Sequence, residues 1–523
     1  MPRRFALLIL AALLVACGGA SRTETAGTGA LGAGGGIGTV SAAAAGAARQ
    51  PRGELRLAFG IHMPGTLDAT KDGFQLVFVG VGETLVRINR QLKPEPWLAE
   101  SVAQVDPTTW RVKLRSQAKF HDGTPVTAEE VAASFRRSWE TQPTANTFIP
   151  NDTQLQVIDP LTLEFRTARP VGGFLNSLAA FQFVVHKPGT GGASIMTGPY
   201  RPVRFETDNL LELEAFREHW GGPPPIARIS IRLVPDANAR ALALQSGDVD
   251  MVFGLPPETV KGLPADIERA VVPSTRVHLV LLNTTRPPFN EPRVREATAL
   301  AVDRAALNRA VLDGLGAVVT NAFPPSAPFE IVPAQDTDAA RARQLLDEAG
   351  WRVGPDGVRV KDGKRLAFTL YSYPGRAELT PMAVVIQSQL KALGYDIQVQ
   401  QVQDITKQLR GGDFDASMYS INTLPTGDPL YLLGYSLSRS GGLNYGGYSN
   451  PQMEAVVEQL RFELDPNRRA QLAKQAQEII KADVPNVYLV AAPLVFAYKK
   501  GKVKGFIPNP NDLYFIDSSI SVE

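Results

Sequence analysis

Cys17 is the only cysteine among 523 residues, so no disulfide can form within the chain. A fold of this length must then be held by buried apolar side chains. A chain with 44% hydrophobic residues can supply them, and so long a chain exceeds one comfortable core, so two or three lobes are expected. The same count excludes thiol pairs, iron–sulfur clusters and zinc ribbons from the remainder of the protein.

The position of that cysteine carries further information. Arg3 and Arg4 precede an apolar run from Phe5 to Val15, followed by Ala16-Cys17-Gly18-Gly19. The run is too short for a bilayer core, which takes about 20 helical residues. It reads as an export leader over residues 1–16. Leu14-Val15-Ala16-Cys17 resembles a bacterial lipobox, in which the cysteine is acylated and becomes the new N-terminus, outside the cytoplasm. Loss of Arg3 and Arg4 from 54 basic residues leaves 52 against 52 acidic ones. Such a balance argues against a nucleic-acid partner, which needs a basic face.

Residues 17–52 are rich in Gly, Ala, Ser and Thr and read as a lipid-anchored flexible linker. Gly27-Thr28-Gly29-Ala30-Leu31-Gly32 matches a dinucleotide fingerprint, but it lies in this linker rather than between a strand and a helix. Beyond it, alternation predicts strands at 54–59, 110–115 and 161–165. Thr127 and Glu130 form a capping box that opens a helix. A strand at 366–371, a helix from 380 to 393 ending at Gly394, and a strand at 397–402 make a β-α-β unit with a parallel sheet. Further helices are expected at 291–313, 338–349, 451–463 and 466–482.

The search for catalytic groups is negative. The five histidines, His62, His121, His186, His219 and His278, are far apart in sequence. Metal-protease, P-loop and nucleophile-elbow motifs are absent. Asp248 and Asp250 read as a turn after a helix, and His121-Asp122 as a surface turn. No cofactor is expected. Aromatic and polar residues gather in two stretches suited to contact with a ligand: Phe74, Gln75 and Phe78, and the Tyr- and Gly-rich loop with Tyr445 and Tyr448. Packing between lobes is the alternative role for both.

Phe120-His121-Asp122-Gly123-Thr124-Pro125-Val126-Thr127-Ala128-Glu129-Glu130-Val131 closely resembles the signature of extracellular solute-binding protein family 5. Pro96-Trp97-Leu98-Ala99-Glu100-Ser101 precedes it, and Thr197-Gly198-Pro199-Tyr200, Trp220-Gly221-Gly222, the segments 244–250 and 282–290, and Asn444-Tyr445-Gly446-Gly447-Tyr448 follow in the family's order. The resemblance implies an α/β, periplasmic-binding-protein-like type II (cluster C) fold. That fold has two α/β lobes, an additional inserted domain and an interlobe cleft. By analogy one lobe takes 53–88, 196–282 and 488–523, the additional domain takes 89–195, and the other lobe takes 283–487. It also implies a monomeric, non-enzymatic lipoprotein of an ABC importer that captures a small solute such as a peptide and delivers it to the membrane permease. A sensor of a peptide signal, or a binder of a saccharide or nickel chelate, is the alternative.

The family's ligand patterns are broken here. Its peptide binders hold the α-ammonium with an Asp four residues before the proline of a Gly-Asp-Pro-like turn, and Pro425 stands at that position. Asp428 is the remaining carboxylate of the turn. The family's nickel binders use an Arg of the additional domain, and residues 178–184 contain none, which disfavours nickel. Asn422, Thr423, Thr426, Asp428 and Gln75, with the aromatics above, are therefore the expected ligand-binding set, suited to an uncharged or zwitterionic solute.

Overall fold

The computed structural model describes residues 50–60, 63–334 and 336–523. Cys17, the leader, most of the linker with its glycine motif, and His62 lie outside the described residues.

Two strands set the architecture. Ile267–Leu282 has 16 residues and Asn486–Lys499 has 14, against a usual strand length of about five or six. They pair antiparallel along most of their length and sit in the middle of one eleven-stranded sheet. On one side of them lie Met251–Phe253, Arg52–Phe59, Ile226–Leu233, Leu210–Ala215 and Tyr200–Glu206. On the other lie Ala416–Asn422, Ala367–Ser372 and Asp396–Gln401. Helices cover both halves, which gives two α/β lobes joined by the crossing pair.

A separate four-stranded antiparallel sheet, Ala99–Asp106, Thr109–Leu114, Thr162–Arg166 and Gln154–Asp159, carries the helix Ala128–Thr141. Thr127 caps that helix as expected, its hydroxyl accepting from the Glu130 amide at 3.3 Å. The predicted β-α-β unit is also present. Ala367–Ser372 and Asp396–Gln401 pair in parallel around the helix Leu379–Lys391, and Gly394 takes a φ of +91° in the following turn. The remaining helices, Ala339–Glu348, Pro451–Phe462 and Pro466–Asp483, fall where the apolar periodicity put them.

One expectation is corrected. Residues 291–313 form two helices, Pro292–Ala301 and Arg304–Leu312. The break follows from Asp303, whose carboxylate accepts from the Ala306 amide at 2.8 Å and so starts a new helix. Arg304 satisfies a carbonyl that the break leaves over, donating to Ala299 O at 3.1 Å, and ties the break to the crossing strand through Tyr488 O at 2.7 Å.

Apolar packing takes the place of disulfides. Leu300, Leu345, Ile386, Leu390, Tyr395 and Leu489 belong to a buried cluster of the second lobe. Leu57, Phe59, Phe78, Phe515 and, in the four-stranded region, Phe135 and Phe165 belong to a larger one. Each side chain of this kind contributes about 1.5–3 kcal/mol on burial.

Gly198 of the Thr197-Gly198-Pro199-Tyr200 motif passes directly over the backbone at 80–81. A Cβ there would stand 2.5 Å from Gly80 O and 2.6 Å from Val81 O. Both obstacles are main chain and cannot swing aside. Gly198→Ala is expected to cost about 1–3 kcal/mol, measured as a lower urea midpoint with an unchanged slope.

Candidate functional site

In α/β sheets, ligands bind outside the carboxyl ends of parallel strands, where loops are free to carry side chains. Here Arg52–Phe59 runs parallel to Ile226–Leu233 and Met251–Phe253 in one lobe. Ala367–Ser372 runs parallel to Asp396–Gln401 and Ala416–Asn422 in the other. Several of these carboxyl ends meet at one cavity of about 420 Å³. Gly60, Pro235 and residues 253–256 line it from the first lobe, 374–378 from the second, and Pro493–Val495 of a crossing strand lies between them. The volume falls within the range of about 300–1,000 Å³ usual for small-molecule sites.

Charge is concentrated at its inner edge. Arg376 and Glu378, both cavity-lining, follow the strand Ala367–Ser372. Arg276, on the crossing strand Ile267–Leu282, donates from Nε to Asp512 Oδ2 at 2.6 Å, and Arg376 Nη2 stands 3.9 Å from the same oxygen. The Asp512 side chain is fully buried. A lone carboxylate there would be costly, and two guanidinium groups offset that cost.

His278 bridges Ser420 Oγ at 3.0 Å and Glu378 Oε1 at 2.9 Å. The Glu378 carboxylate can only accept, so Nε2 of His278 carries the hydrogen. Burial pushes the imidazole below its ordinary pKa and keeps it neutral at pH 7. Burial works against ionisation of Glu378 too, but the His278 hydrogen bond and the Arg376 guanidinium outweigh it and hold the carboxyl at about 2. Beside this cluster the second lobe presents tyrosines. Tyr419 and Tyr445 meet edge to face at 6.1 Å, and Tyr431 stacks between Tyr435 at 5.7 Å and Phe148 at 5.8 Å.

Of the expected ligand-binding residues, Tyr445 alone stands in this tyrosine group. The others stand elsewhere. Phe78 is buried in the first lobe, stacked on Phe515 at 5.2 Å, and Phe74 packs against Phe181 at 5.8 Å. Gln75 shares their helix, away from the cavity lining. Asn422 is spent on the chain itself: its Oδ1 accepts from Thr275 Oγ1 at 2.8 Å and its Nδ2 donates to Asn511 O at 2.5 Å. The Thr423 hydroxyl donates to Thr275 O at 3.0 Å, and buried Thr426 takes a hydrogen bond from Asn176 on its carbonyl. Tyr448 donates its hydroxyl to Asp483.

Asp428 is consumed by Arg469, whose Nη2 lies 2.6 and 2.5 Å from its two oxygens. It orders the turn and is not available to an ammonium group. Asp250 likewise pins Arg56 and Lys502, and His121 and Asp122 turn to different partners, Gly198 O and Lys187. The residues that sequence reasoning missed are Arg276, His278, Arg376, Glu378 and Asp512. A usable signal existed for two of them, because Tyr373-Pro374-Gly375-Arg376-Ala377-Glu378 follows a predicted parallel strand and so opens on the ligand side.

Two outcomes follow. Asp428→Asn leaves Arg469 buried without its counter-charge and should destabilise the protein by about 3–5 kcal/mol in urea unfolding. Glu378 has a folded pKa of about 2 against an ordinary 4.5. Below pH 4.5 the unfolded chain takes up the proton first, so the stability that Glu378 contributes is present above that pH and is lost as pH falls toward 2. The stability difference between wild type and Glu378→Gln should therefore shrink across that interval in acid titrations followed by circular dichroism.

Comparison with known proteins agrees with this geometry. Staphylococcus aureus NikA, a nickel-binding protein, is 26% identical over 452 residues, covering 86% of this chain and 90% of its own. Its crystal structure with Ni(L-His)2 matches with a TM-score of 0.80, over 90% of this chain and all of that one. Escherichia coli GsiB, a glutathione-binding protein, is 27% identical over 485 residues, covering 87% and 91%. The structure of the oligopeptide-binding protein AppA from Bacillus subtilis with a nonapeptide matches with a TM-score of 0.78 at 22% identity, over 91% of this chain and all of that one. Residues 93–444 match the model for the middle region of the bacterial extracellular solute-binding proteins, family 5. These are binding proteins that work outside the cytoplasm with ABC transporters, not enzymes. A match across more than half its length, with the fold to accompany it, means that the chain belongs to the bacterial extracellular solute-binding proteins, family 5.

Proposed function

We propose that this protein is the substrate-binding component of an ABC importer for peptides or similar amino-acid-derived solutes. It is a monomer, held to the membrane by a lipid on Cys17 and a flexible linker. The observation that carries the ligand class is the loop 374–378, which turns a guanidinium, Arg376, and a carboxylate, Glu378, toward one cavity of about 420 Å³. A zwitterion presents the complementary pair. A peptide carboxylate meets Arg376 in a charge-assisted pair, and its ammonium meets Glu378. The lobes close on the solute by bending at the crossing strands, and the permease reads the closed form. Lobe boundaries near 88, 196, 283 and 488 are part of this proposal.

A nickel chelate is the second reading, favoured by the likeness to NikA. Among the described residues no group of three potential metal ligands occurs, so a chelate would be held through its own carboxylates by Arg376.

Native mass spectrometry of the protein purified from its host, followed by denaturation and sequencing of what is released, tests the reading. A di- to pentapeptide is expected. A saccharide or a metal chelate would overturn the peptide class. Removal of the charge-assisted contact in Arg376→Ala is expected to weaken peptide binding about 10- to 100-fold in calorimetry, the loss appropriate to a hydrogen-bonded charge.

A further inference from the structure

The cluster at the inner edge of the cavity sums to zero charge. Arg276 and Arg376 carry two positive charges, Asp512 and Glu378 two negative ones, and His278 is neutral; the other charged residues of the lining, Arg240 and Glu258, also cancel. Both Arg376 and Glu378 face the cavity, whereas Asp512 is fully buried behind them. Asp512 is thus the negative member of the balance that a solute cannot touch directly and that still contributes to the potential the solute meets.

The backbone is arranged to keep it there. Asp512 has φ +61° and Tyr514 φ +55°, a conformation uncommon for non-glycine residues and frequent where function needs it. Side chains around the turn hold that shape. Asn511 Oδ1 accepts from the Leu513 amide at 3.1 Å, and Asn509 Nδ2 donates to Ile88 O at 3.0 Å. On the facing strand the pairing of Pro273 with Pro493 gives way to that of Val277 with Ala491, so residues 274–276 bulge opposite Ala492 alone. Arg276, at the end of that bulge and opposite Asn422 on the other neighbouring strand, reaches Asp512 with its guanidinium.

We infer that Asp512 sets the net charge of the cargo: as an internal counter-ion it makes the cavity electrically neutral and so selects solutes of zero net charge over anionic ones. The inference rests on the reading of this cavity as the cargo site. In a medium of low dielectric constant, an added anion beside a balanced cluster finds no surplus charge, and its desolvation is not compensated. With Asp512 neutralised, the same cluster carries one surplus positive charge and welcomes an anion.

Ala-Gln and Ala-Glu are matched in shape and differ by one charge, so the ratio of their affinities reads the effect. Full-length wild type, Asp512→Asn and Arg376→Gln are compared by calorimetry. Wild type is expected to prefer Ala-Gln. Asp512→Asn is expected to shift the ratio about tenfold toward Ala-Glu, roughly 1.4 kcal/mol, and Arg376→Gln to shift it the other way. A purely structural role would lower both affinities together and leave the ratios equal in all three proteins, which overturns the inference. Acetate provides a reading independent of peptides, since a small carboxylate in the cavity can pair with the surplus positive charge at Arg376. It should raise the melting temperature of Asp512→Asn and leave that of wild type unchanged. If no protein binds either peptide and acetate still restores the variant, the peptide reading fails and the counter-ion role stands. If acetate restores nothing, or the ratios do not move where peptides bind, Asp512 does not set cargo charge.

Discussion

The pairing of Ile267–Leu282 with Asn486–Lys499 is the interaction on which the rest depends. It carries one sheet through both lobes, and its only deep irregularity lies midway, where residues 274–276 face Ala492. Ser274 closes the gap through its hydroxyl, which donates to Ala492 O at 2.6 Å. Thr275 N is thereby freed from this pairing and donates to Pro510 O at 2.8 Å, while Arg276, opposite Asn422 on the other neighbouring strand, reaches Asp512 with its side chain. The bulge is where the two lobes, the last residues of the chain and the cavity come together, which suits a place that must bend.

The additional domain engages the second lobe from outside the sheet. Gly172 N donates to Arg461 O at 2.6 Å, and Asn176 Nδ2 reaches Thr426 O at 2.7 Å. Phe148 stacks on Tyr431, and Asp428 with Arg469 forms the ordered turn beneath. These contacts explain why the turn 423–429 is so fully hydrogen-bonded internally. The turn thus packs with its polar groups already satisfied within the chain.

That division accounts for what the sequence could and could not tell. Elements governed by local rules were legible. The Thr127 cap, the β-α-β unit ending at Gly394 and the helices after residue 338 all express spacing within one segment. The break at Asp303 was missed because apolar periodicity continues across it, and a cap outweighs periodicity where a carboxylate can reach the third amide. The hydrogen-bond partners of the expected ligand set were illegible for a different reason. Asn422, Thr423 and Asp428 are polar residues at the end of a strand, and sequence alone does not reveal that Thr275, Asn511 and Arg469 claim them. Arg276, Arg376 and Asp512 come together from positions as far as 236 residues apart, so only the folded sheet unites them. The topological rule for parallel strands would have found Arg376, but the family pattern drew attention to the turn at 425–429.

A site built from opposed charges also fits the work of repeated capture and release. Micromolar capture needs about 8 kcal/mol, and a purely apolar pocket of this size could supply that by area alone. Such a pocket would bind a wide range of solutes and give the permease little means of prising one out. Charged contacts behave differently, because water screens them and an exposed pair contributes little. Their net contribution becomes large only with the lobes closed and water excluded, where the effective dielectric constant falls. On the proposed reading of this cavity as the cargo site, water returns to Arg376 and Glu378 when the lobes part, so the strength of binding follows closure, which apolar area spread over a cleft wall would not do.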